Sequence, residues 1–414
     1  MIEENQDVTE VKRPWYKRVI FPGLAKLDSV QKGLWKPDLA DLEIFRILAL
    51  VEGVIFIVSF ASGSPFGPLS YWDGPMYVYV ARTLYNIPKS GPDSHLFKRP
   101  PYYFACHLPG YPLVIRFFSK ICFNQYWLGE LLSILFNAMV ITYVFRRLLT
   151  VYNCVEDPVF TTKVSLFIPI RLCLYKAVGA SDPLYITFCF LSLIFFKTDQ
   201  LIFLLLSMWG ACYTRIEGPS IVGTIGLCYL LRLDIPRALF TALGFIATPS
   251  LMYLHHVKFG NYKAYFDYNS GQMDLIKYPL YHLFESSGNF EELLHAQSLL
   301  GLFLPFFVGT LILFSISVPF AIFSTVYILY CACINHPDLA RYSLPGFTLA
   351  LLVGFDSVIS SPILKPRFHY FKIPVGVLVL LYFLSELGSN RANDEHFMKI
   401  CDIIHHVYNG TDSF

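Results

Sequence analysis

Long apolar runs alternate with short polar breaks over most of the chain, and the run lengths set the expected architecture. A helix needs about 20 consecutive apolar residues to cross a bilayer core, and windows near that length recur from Leu42 onward. The pattern predicts spans at Leu42–Ala61, Tyr126–Phe145, Val159–Val178, Leu184–Phe196, Leu201–Thr214, Ser220–Leu231 and Ala238–Leu254. The 37-residue stretch Ser298–Ile334 reads as one tilted or broken span preceded by a buried segment, although two spans also fit. Spans at Ser343–Val358 and Phe371–Leu387 complete the series. The expected fold class is therefore all-α, a polytopic membrane protein of about ten transmembrane helices (about 9–11) with a long first outer loop.

Composition agrees with that picture. Hydrophobic residues make up 55% of the chain and charged residues 15%, against about 25% charged in soluble domains, and mean hydropathy is +0.50. The net charge of +2 is too small to imply a nucleic-acid partner, and the basic-aromatic interleaving that such binding needs is lacking. The ten cysteines are scattered with no CxxC pair, so most are expected to serve as small apolar packing. Cys106 and Cys122 lie outside clear spans and could pair in an oxidising compartment.

The chain divides into a basic arm (residues 1–41), a multi-span domain (42–387) and a polar tail (388–414). Lys12, Arg13, Lys17, Arg18, Lys26, Lys32 and Lys36 precede the first long apolar run. That is unlike a cleaved signal peptide, and by the positive-inside rule it keeps the arm in the cytosol. Counting onward, the tail is cytosolic if Ser298–Ile334 crosses once. If that stretch crosses twice, the tail is outside, where Asn409-Gly410-Thr411 becomes a usable glycosylation sequon.

The first outer loop, residues 62–124, contains two weaker apolar pieces, Met76–Leu84 and Tyr111–Phe118. Each is short and carries an arginine, Arg82 or Arg116, so both are expected to lie in the membrane interface. In Ser70–Tyr85, Pro75 suits a first helical turn, and Tyr77, Val80, Ala81 and Leu84 recur at helical spacing. Asp73 stands at the start of that helix. It is either a plain cap or a carboxylate held at the membrane face, and it cannot easily accept a proton while fully engaged by backbone amides.

On this topology the polar groups that folding explains least collect on the outer side. They are Asp73, Arg82, His107, Asp182, Arg215, Glu217, Lys365, Arg367 and His369. A transporter would more naturally place such groups at the midplane. Transfer of a sugar from a lipid phosphate needs a carboxylate to take the acceptor proton, cations for the departing phosphate and an apolar groove for the lipid. Asp73 fits the first need, and Lys365-Pro366-Arg367-Phe368-His369 the second. Each group also has a plainer reading. Asp182 before Pro183 is a natural cap, and Lys365, Arg367 and His369 suit anchors of the last span. Arg215 and Glu217 can neutralise each other, and His107 suits a satisfied loop histidine. Glu52, near the middle of the first span, stands out as an intramembrane acid.

The order of these patches carries a resemblance. A basic tail and one span precede Trp72-Asp73-Gly74, Tyr77 and Ala81, then His107–Leu113 ahead of the second span. Ala180-Ser181-Asp182-Pro183-Leu184, Thr214-Arg215-Ile216-Glu217-Gly218, Phe259-Gly260-Asn261-Tyr262 and Pro279 follow. This resembles the GT-C superfamily of multi-span glycosyltransferases that use polyprenyl-phosphate sugars, and is most similar to the branch containing the second mannosyltransferase of GPI-anchor synthesis. The resemblance implies an inverting transfer of a sugar, mannose in that branch, from a dolichyl- or polyprenyl-phosphate donor to a lipid-linked glycan. It implies Asp73 as the base and the Asp182 region in the same cavity.

Residues and resemblance together give Asp73 and Asp182 as catalytic, Lys365, Arg367, His369 and Arg215 as donor-phosphate ligands, and Trp72, Tyr77, Arg82, His107 and Glu217 as cavity lining. No metal site or cofactor is expected, and no DxD motif occurs. The expected partners are the lipid-linked donor, the glycan acceptor, membrane lipids and an accessory membrane subunit. The expected location is the endoplasmic-reticulum membrane, or the plasma membrane if prokaryotic. The competing readings are a transporter or flippase for a lipid-linked or polar substrate, and a non-catalytic subunit of a membrane transferase.

Overall fold

The computed structural model describes residues 33–87, 100–271, 277–279, 290–334, 336, 338–389, 395 and 397–402. The basic arm before Gly33 and the sequon at Asn409 lie outside the described residues. Among the described residues the chain is helical, with no strand.

Helix α1 (Leu39–Ala61) opens with a capping box, in which the Asp41 amide donates to Asp38 at 2.9 Å and the Asp38 amide to Asp41 at 3.0 Å. Two short helices, α2 (Gly67–Ser70) and α3 (Gly74–Thr83), lead through a 3-10 turn (Pro101–Cys106) to α4 (Gly110–Ile121) and the long α5 (Tyr126–Tyr152). The chain end of α5 meets the start of α1. Arg146 bonds Asp38 at 2.6 Å and Arg147 bonds Asp41, so buried charges at this contact are paired, as burial requires.

Leu42–Ala61 and Tyr126–Phe145 are thus helices as expected, but the two loop pieces differ from each other. Residues Tyr77 to Ala81 of α3 are buried on every side, so α3 lies inside the protein instead of in the interface. Helix α4 is amphipathic, with Tyr111, Ile115 and Ser119 inward and Leu113, Phe117 and Ile121 outward. Cys106 and Cys122 are free thiols.

The expected span Val159–Val178 is instead two short helices, α6 (Pro158–Val164) and α7 (Ile170–Lys176). Pro169 stands at the break, where it cannot continue the helix ladder. Lys176, buried, donates to the freed carbonyl of Ser165 at 3.0 Å. Then α8 (Asp182–Lys197), α9 (Leu201–Thr214) and α10 (Pro219–Leu231) run back and forth, and α5, α8 and α9 form the centre of the core with Leu148, Ile186, Phe190 and Leu204 fully buried. Helix α11 (Ile235–Ala242) continues through a 3-10 turn into α12 (Ala247–Phe259), followed by α13 (Ala264–Gly271).

Ser298–Ile334 is not one span. It divides into α14 (Phe290–Ile316) and α15 (Val318–Cys333), broken at Ser317, whose backbone is extended, with Pro319 in the first turn of α15. A run almost twice a bilayer's length has room for the hairpin. The split adds one passage, and every later segment changes end. His336–Arg341, expected in the cytosol, therefore comes to the end that carries Asp73. Helix α16 (Leu339–Leu349), a π segment (Ala350–Gly354) and α17 (Asp356–Ile359) lead back to the end that carries Glu156 and Thr161, both bonded by Asp356. Helix α18 (Phe368–Ser389) returns to the Asp73 end, where Glu386 accepts from Tyr71 at 3.0 Å. Phe397, Ile400 and Cys401 pack there with Tyr77, Tyr111 and Leu69.

Among the described residues, four helical stretches are long and apolar enough to cross a membrane: Leu39–Ala61, Tyr126–Tyr152, Ile235–Phe259 and Phe368–Leu387. Shorter apolar helices lie at Leu201–Thr214, Pro219–Leu231, Leu300–Ile316, Val318–Cys333 and Leu339–Gly354. The chain is an α-helical protein of membrane type.

Candidate active site

At the Asp73 end, loops and helix termini enclose a polar cavity of about 330 Å³. Its floor begins with the turn into α3. Trp72 has a left-handed backbone (φ 44), and a Cβ on Gly74 would fall 2.1 Å from the Leu69 carbonyl oxygen. Only glycine allows the chain to fold back that tightly. Asp73 occupies the N-cap position, yet its side chain makes no capping hydrogen bond. The carboxylate is instead turned to the cavity, with 31% of the side chain exposed.

Three basic side chains surround it. His107 Nε2 lies 3.4 Å from Asp73 Oδ1 and Arg341 Nη1 lies 3.7 Å from Oδ2, with Arg215 farther off. Burial pushes the Asp73 carboxyl up, but the hydrogen bond and charge of His107 and the charges of Arg341 and Arg215 outweigh it. The group is held well below the usual carboxylate range and is ionised at neutral pH. His107 is itself buried beneath Tyr77 and Tyr103, its ring edge-to-face with both at 5.1 Å.

Asp182 does not line the cavity. At the first turn of α8 it accepts from Arg215 Nη1 at 2.8 Å and from Arg341 Nη2 and Nε at 3.0 and 3.1 Å. Its oxygens are engaged, so it holds the two arginines and is not free to act as a base. Glu217 anchors Arg215 from the other side at 2.8 Å and accepts from Tyr330 at 3.1 Å. Arg341 Nη1 makes no hydrogen bond among the described residues, which leaves its donors toward the cavity. Behind it, Asp338 takes a hydrogen bond from Arg171 Nε at 3.1 Å and from Tyr175 at 2.9 Å. Burial raises the Asp338 carboxyl, and Arg171 and Arg341 more than offset this. Asp338 therefore stays charged and pins the turn that carries Arg341.

The expected site residues separate on this geometry. Trp72, Asp73, Tyr77, His107, Arg215 and Glu217 all line the cavity. Arg82 does not; its guanidinium sits over the Tyr126 ring at 5.8 Å. Lys365, Arg367 and His369 lie at the opposite end of the molecule. Lys365 pairs with Asp157 at 3.1 Å, Arg367 donates to the Ile363 carbonyl at 2.8 Å, and His369 lies 2.7 Å from the Pro366 carbonyl oxygen. They are corrected from phosphate ligands to groups remote from Asp73, because the hairpin at Ser317 reverses the direction of everything after it.

Arg341, Asp338 and His336 were missed for the same reason. The signal was present as the excess length of Ser298–Ile334 with Pro319 inside it. Tyr103, Tyr265, Tyr268, Asn269 and Tyr342 also line the walls, and no local pattern marks them. Among the described residues there is no cluster of three or more His, Cys, Asp or Glu side chains suited to a metal ion.

Neither a scan against protein-family models nor a search of curated proteins returns a match to this chain.

Proposed function

We propose that the protein is a membrane glycosyltransferase, of inverting type, that moves a sugar from a polyprenyl-phosphate donor to a lipid-linked acceptor. One observation carries the proposal. The Asp73 carboxylate is free of capping duty, ionised, and opens to a cavity beside the unengaged donors of Arg341. In the reaction, Asp73 takes the proton of an acceptor hydroxyl as that oxygen attacks the sugar's anomeric carbon. The bond from that carbon to the phosphate oxygen breaks, and the lipid phosphate leaves with its charge met by Arg341 and Arg215. Asp73 then passes its proton to water. Tyr103, Tyr268 and Trp72 supply apolar faces on which a sugar ring can pack.

The resemblance read from the sequence supplies the finer terms: mannose as the sugar, dolichyl phosphate as the carrier, a GPI-anchor precursor as the acceptor and the endoplasmic-reticulum membrane as the location. On this reading the Asp73 end faces the lumen, and the chain makes one crossing more than the ten read from the sequence.

Purified full-length protein incubated with radiolabelled dolichyl-phosphate mannose and a lipid-linked glycan tests the proposal. Donor turnover without a gradient or a second protein is the expected result. Its absence across the dolichyl-phosphate sugars would remove the enzyme reading and leave the transporter or accessory-subunit readings.

A further inference from the structure

The walls of the Asp73 cavity carry two uncharged groups whose hydrogen-bonding sense is fixed by the protein and which the transfer chemistry leaves unused. The first is Asn269 on α13. Its Nδ2 donates to the Tyr265 carbonyl at 2.9 Å and to Cys106 Sγ at 3.1 Å. Those two bonds take both amide hydrogens. A carbonyl can only accept, so the nitrogen must face Tyr265 and the amide oxygen is turned the other way. Asn269 lines the cavity, and its Oδ1 has no hydrogen-bond partner among the described residues. It is an acceptor only. The neighbouring Tyr268 ring packs on Tyr103 at 5.0 Å, which holds this stretch of α13 against the wall.

The second is His336, just before the turn that carries Arg341. Its Nδ1 accepts from the Asp338 backbone amide at 3.0 Å. An amide N–H can only donate, so Nδ1 is bare and the ring proton sits on Nε2. Burial lowers the His336 pKa, and of the nearby charges Asp338 and Asp73 raise it while Arg341 and Arg215 lower it. The net direction is down, so the imidazole is uncharged at neutral pH. Tyr342 holds the ring edge-to-face at 5.0 Å. His336 also lines the cavity, and its Nε2 has no hydrogen-bond partner among the described residues. It is a donor only.

We infer that Asn269 Oδ1 and His336 Nε2–H are the specificity contacts for hydroxyls of the transferred sugar, and that this sugar is uncharged. The inference rests on the transferase reading and names what its donor site recognises. The two groups select by complement. An ionised oxygen has no proton to give Asn269, and an ammonium has no lone pair for His336. Hydroxyls give and accept, so a sugar ring serves both without burying a charge. The placement agrees. Asn269 is bonded to Cys106, the residue before His107, and so stands on the Asp73 side. His336 stands on the Arg341 side, where the donor phosphate is met. A sugar between base and phosphate therefore has one contact toward each.

The test is equilibrium binding by full-length protein in phosphatidylcholine nanodiscs, without acceptor. The ligands are dolichyl-phosphate mannose, its monodeoxy counterparts and bare dolichyl phosphate. Wild type should bind the mannosylated lipid about tenfold tighter than the bare one. At least one deoxy donor should bind about three- to tenfold more weakly than its parent, the worth of one neutral hydrogen bond. Asn269→Leu and His336→Phe should each weaken the mannosylated lipid by a similar factor and leave bare dolichyl phosphate within about twofold. The deoxy donor that weakened wild type should then bind the matching variant as well as the parent donor does, because the contact is already gone. The deoxy series on wild type decides the matter even where a variant fails to fold. Equal binding of every deoxy donor, or no preference for the mannosylated lipid over the bare one, would overturn the inference whether or not transfer is seen. Preference intact with no turnover would instead remove the transferase reading and leave the sugar contacts in place.

Discussion

Arg341 Nη1 stands 3.7 Å from Asp73 Oδ2 while the same guanidinium is fixed on Asp182 through Nη2 at 3.0 Å and Nε at 3.1 Å. One planar fork thus joins a saturated carboxylate to a cavity-facing one. Lysine, a point charge, could not hold both ends in one orientation.

The first consequence concerns pH. Arg341 is among the charges that hold Asp73 below the usual carboxylate range. Arg341→Gln removes a positive charge, so the Asp73 carboxyl should titrate at higher pH. The acid limb of kcat/KM, which reports the free enzyme, should move upward in pH. An unchanged or lower limb would show that Asp73 is not the group being titrated. In wild type a donor phosphate over Arg341 and Arg215 should act the same way, making Asp73 more basic once the donor is bound.

Asp182 and Asp73 should differ in stability. Only 4% of the Asp182 side chain is exposed, against 31% for Asp73, and Asp182 neutralises two buried arginines. Asp182→Asn should cost about 3–5 kcal/mol, the usual penalty for breaking a buried pair, and lower the melting temperature clearly. Asp73→Asn should leave the melting temperature near that of wild type. Thermal unfolding of the two purified variants in one detergent compares them directly.

Lys365 and Arg367 are remote from the cavity. Replacing both with alanine should leave the Michaelis constant for the lipid donor within about twofold of wild type. A large rise would mean that the donor phosphate reaches the other end of the molecule.

Gly74 is the tightest point under the site. Gly74→Ala places a Cβ 2.1 Å from a backbone oxygen, where no flexible side chain can give way. A cost of about 1–3 kcal/mol is expected from such overpacking, with loss of transfer activity, since Asp73 is the preceding residue. Yield of folded protein and specific activity would be measured together.

The end of the chain gives a topological check. Residues 397–402 pack at the Asp73 end, and the few residues from there to Asn409 are too short to cross a bilayer. If that end faces the lumen, wild type expressed in a eukaryotic cell should carry one glycan that Asn409→Gln removes, seen as a gel shift on glycosidase treatment. A tail accessible only from the cytosol would contradict the orientation.

Much of the helical order was legible in the sequence, because runs near bilayer length are a strong signal and Asp73, Asp182, Arg215 and Glu217 interrupt them conspicuously. These four meet where expected, at one end. Composition could not decide whether Ser298–Ile334 turned once within itself, since hydropathy has no sign at a tight apolar hairpin; Ser317 and Pro319 were the only marks. That one ambiguity moved Arg341 into the site and Lys365, Arg367 and His369 out of it. The roles of Asp73 and Asp182 were also beyond the sequence. Both sit at helix starts, and only the partners of each carboxylate, none from the backbone for Asp73 and two arginines for Asp182, tell a presented acid from a buttress.

The most direct measurement is the transfer rate of Asp73→Asn with radiolabelled dolichyl-phosphate mannose as donor, at matched expression and membrane integration. Loss of a positioned general base should lower turnover by roughly 10²–10⁴-fold, with the melting temperature retained. Turnover equal to wild type would contradict the assignment of Asp73 as the base.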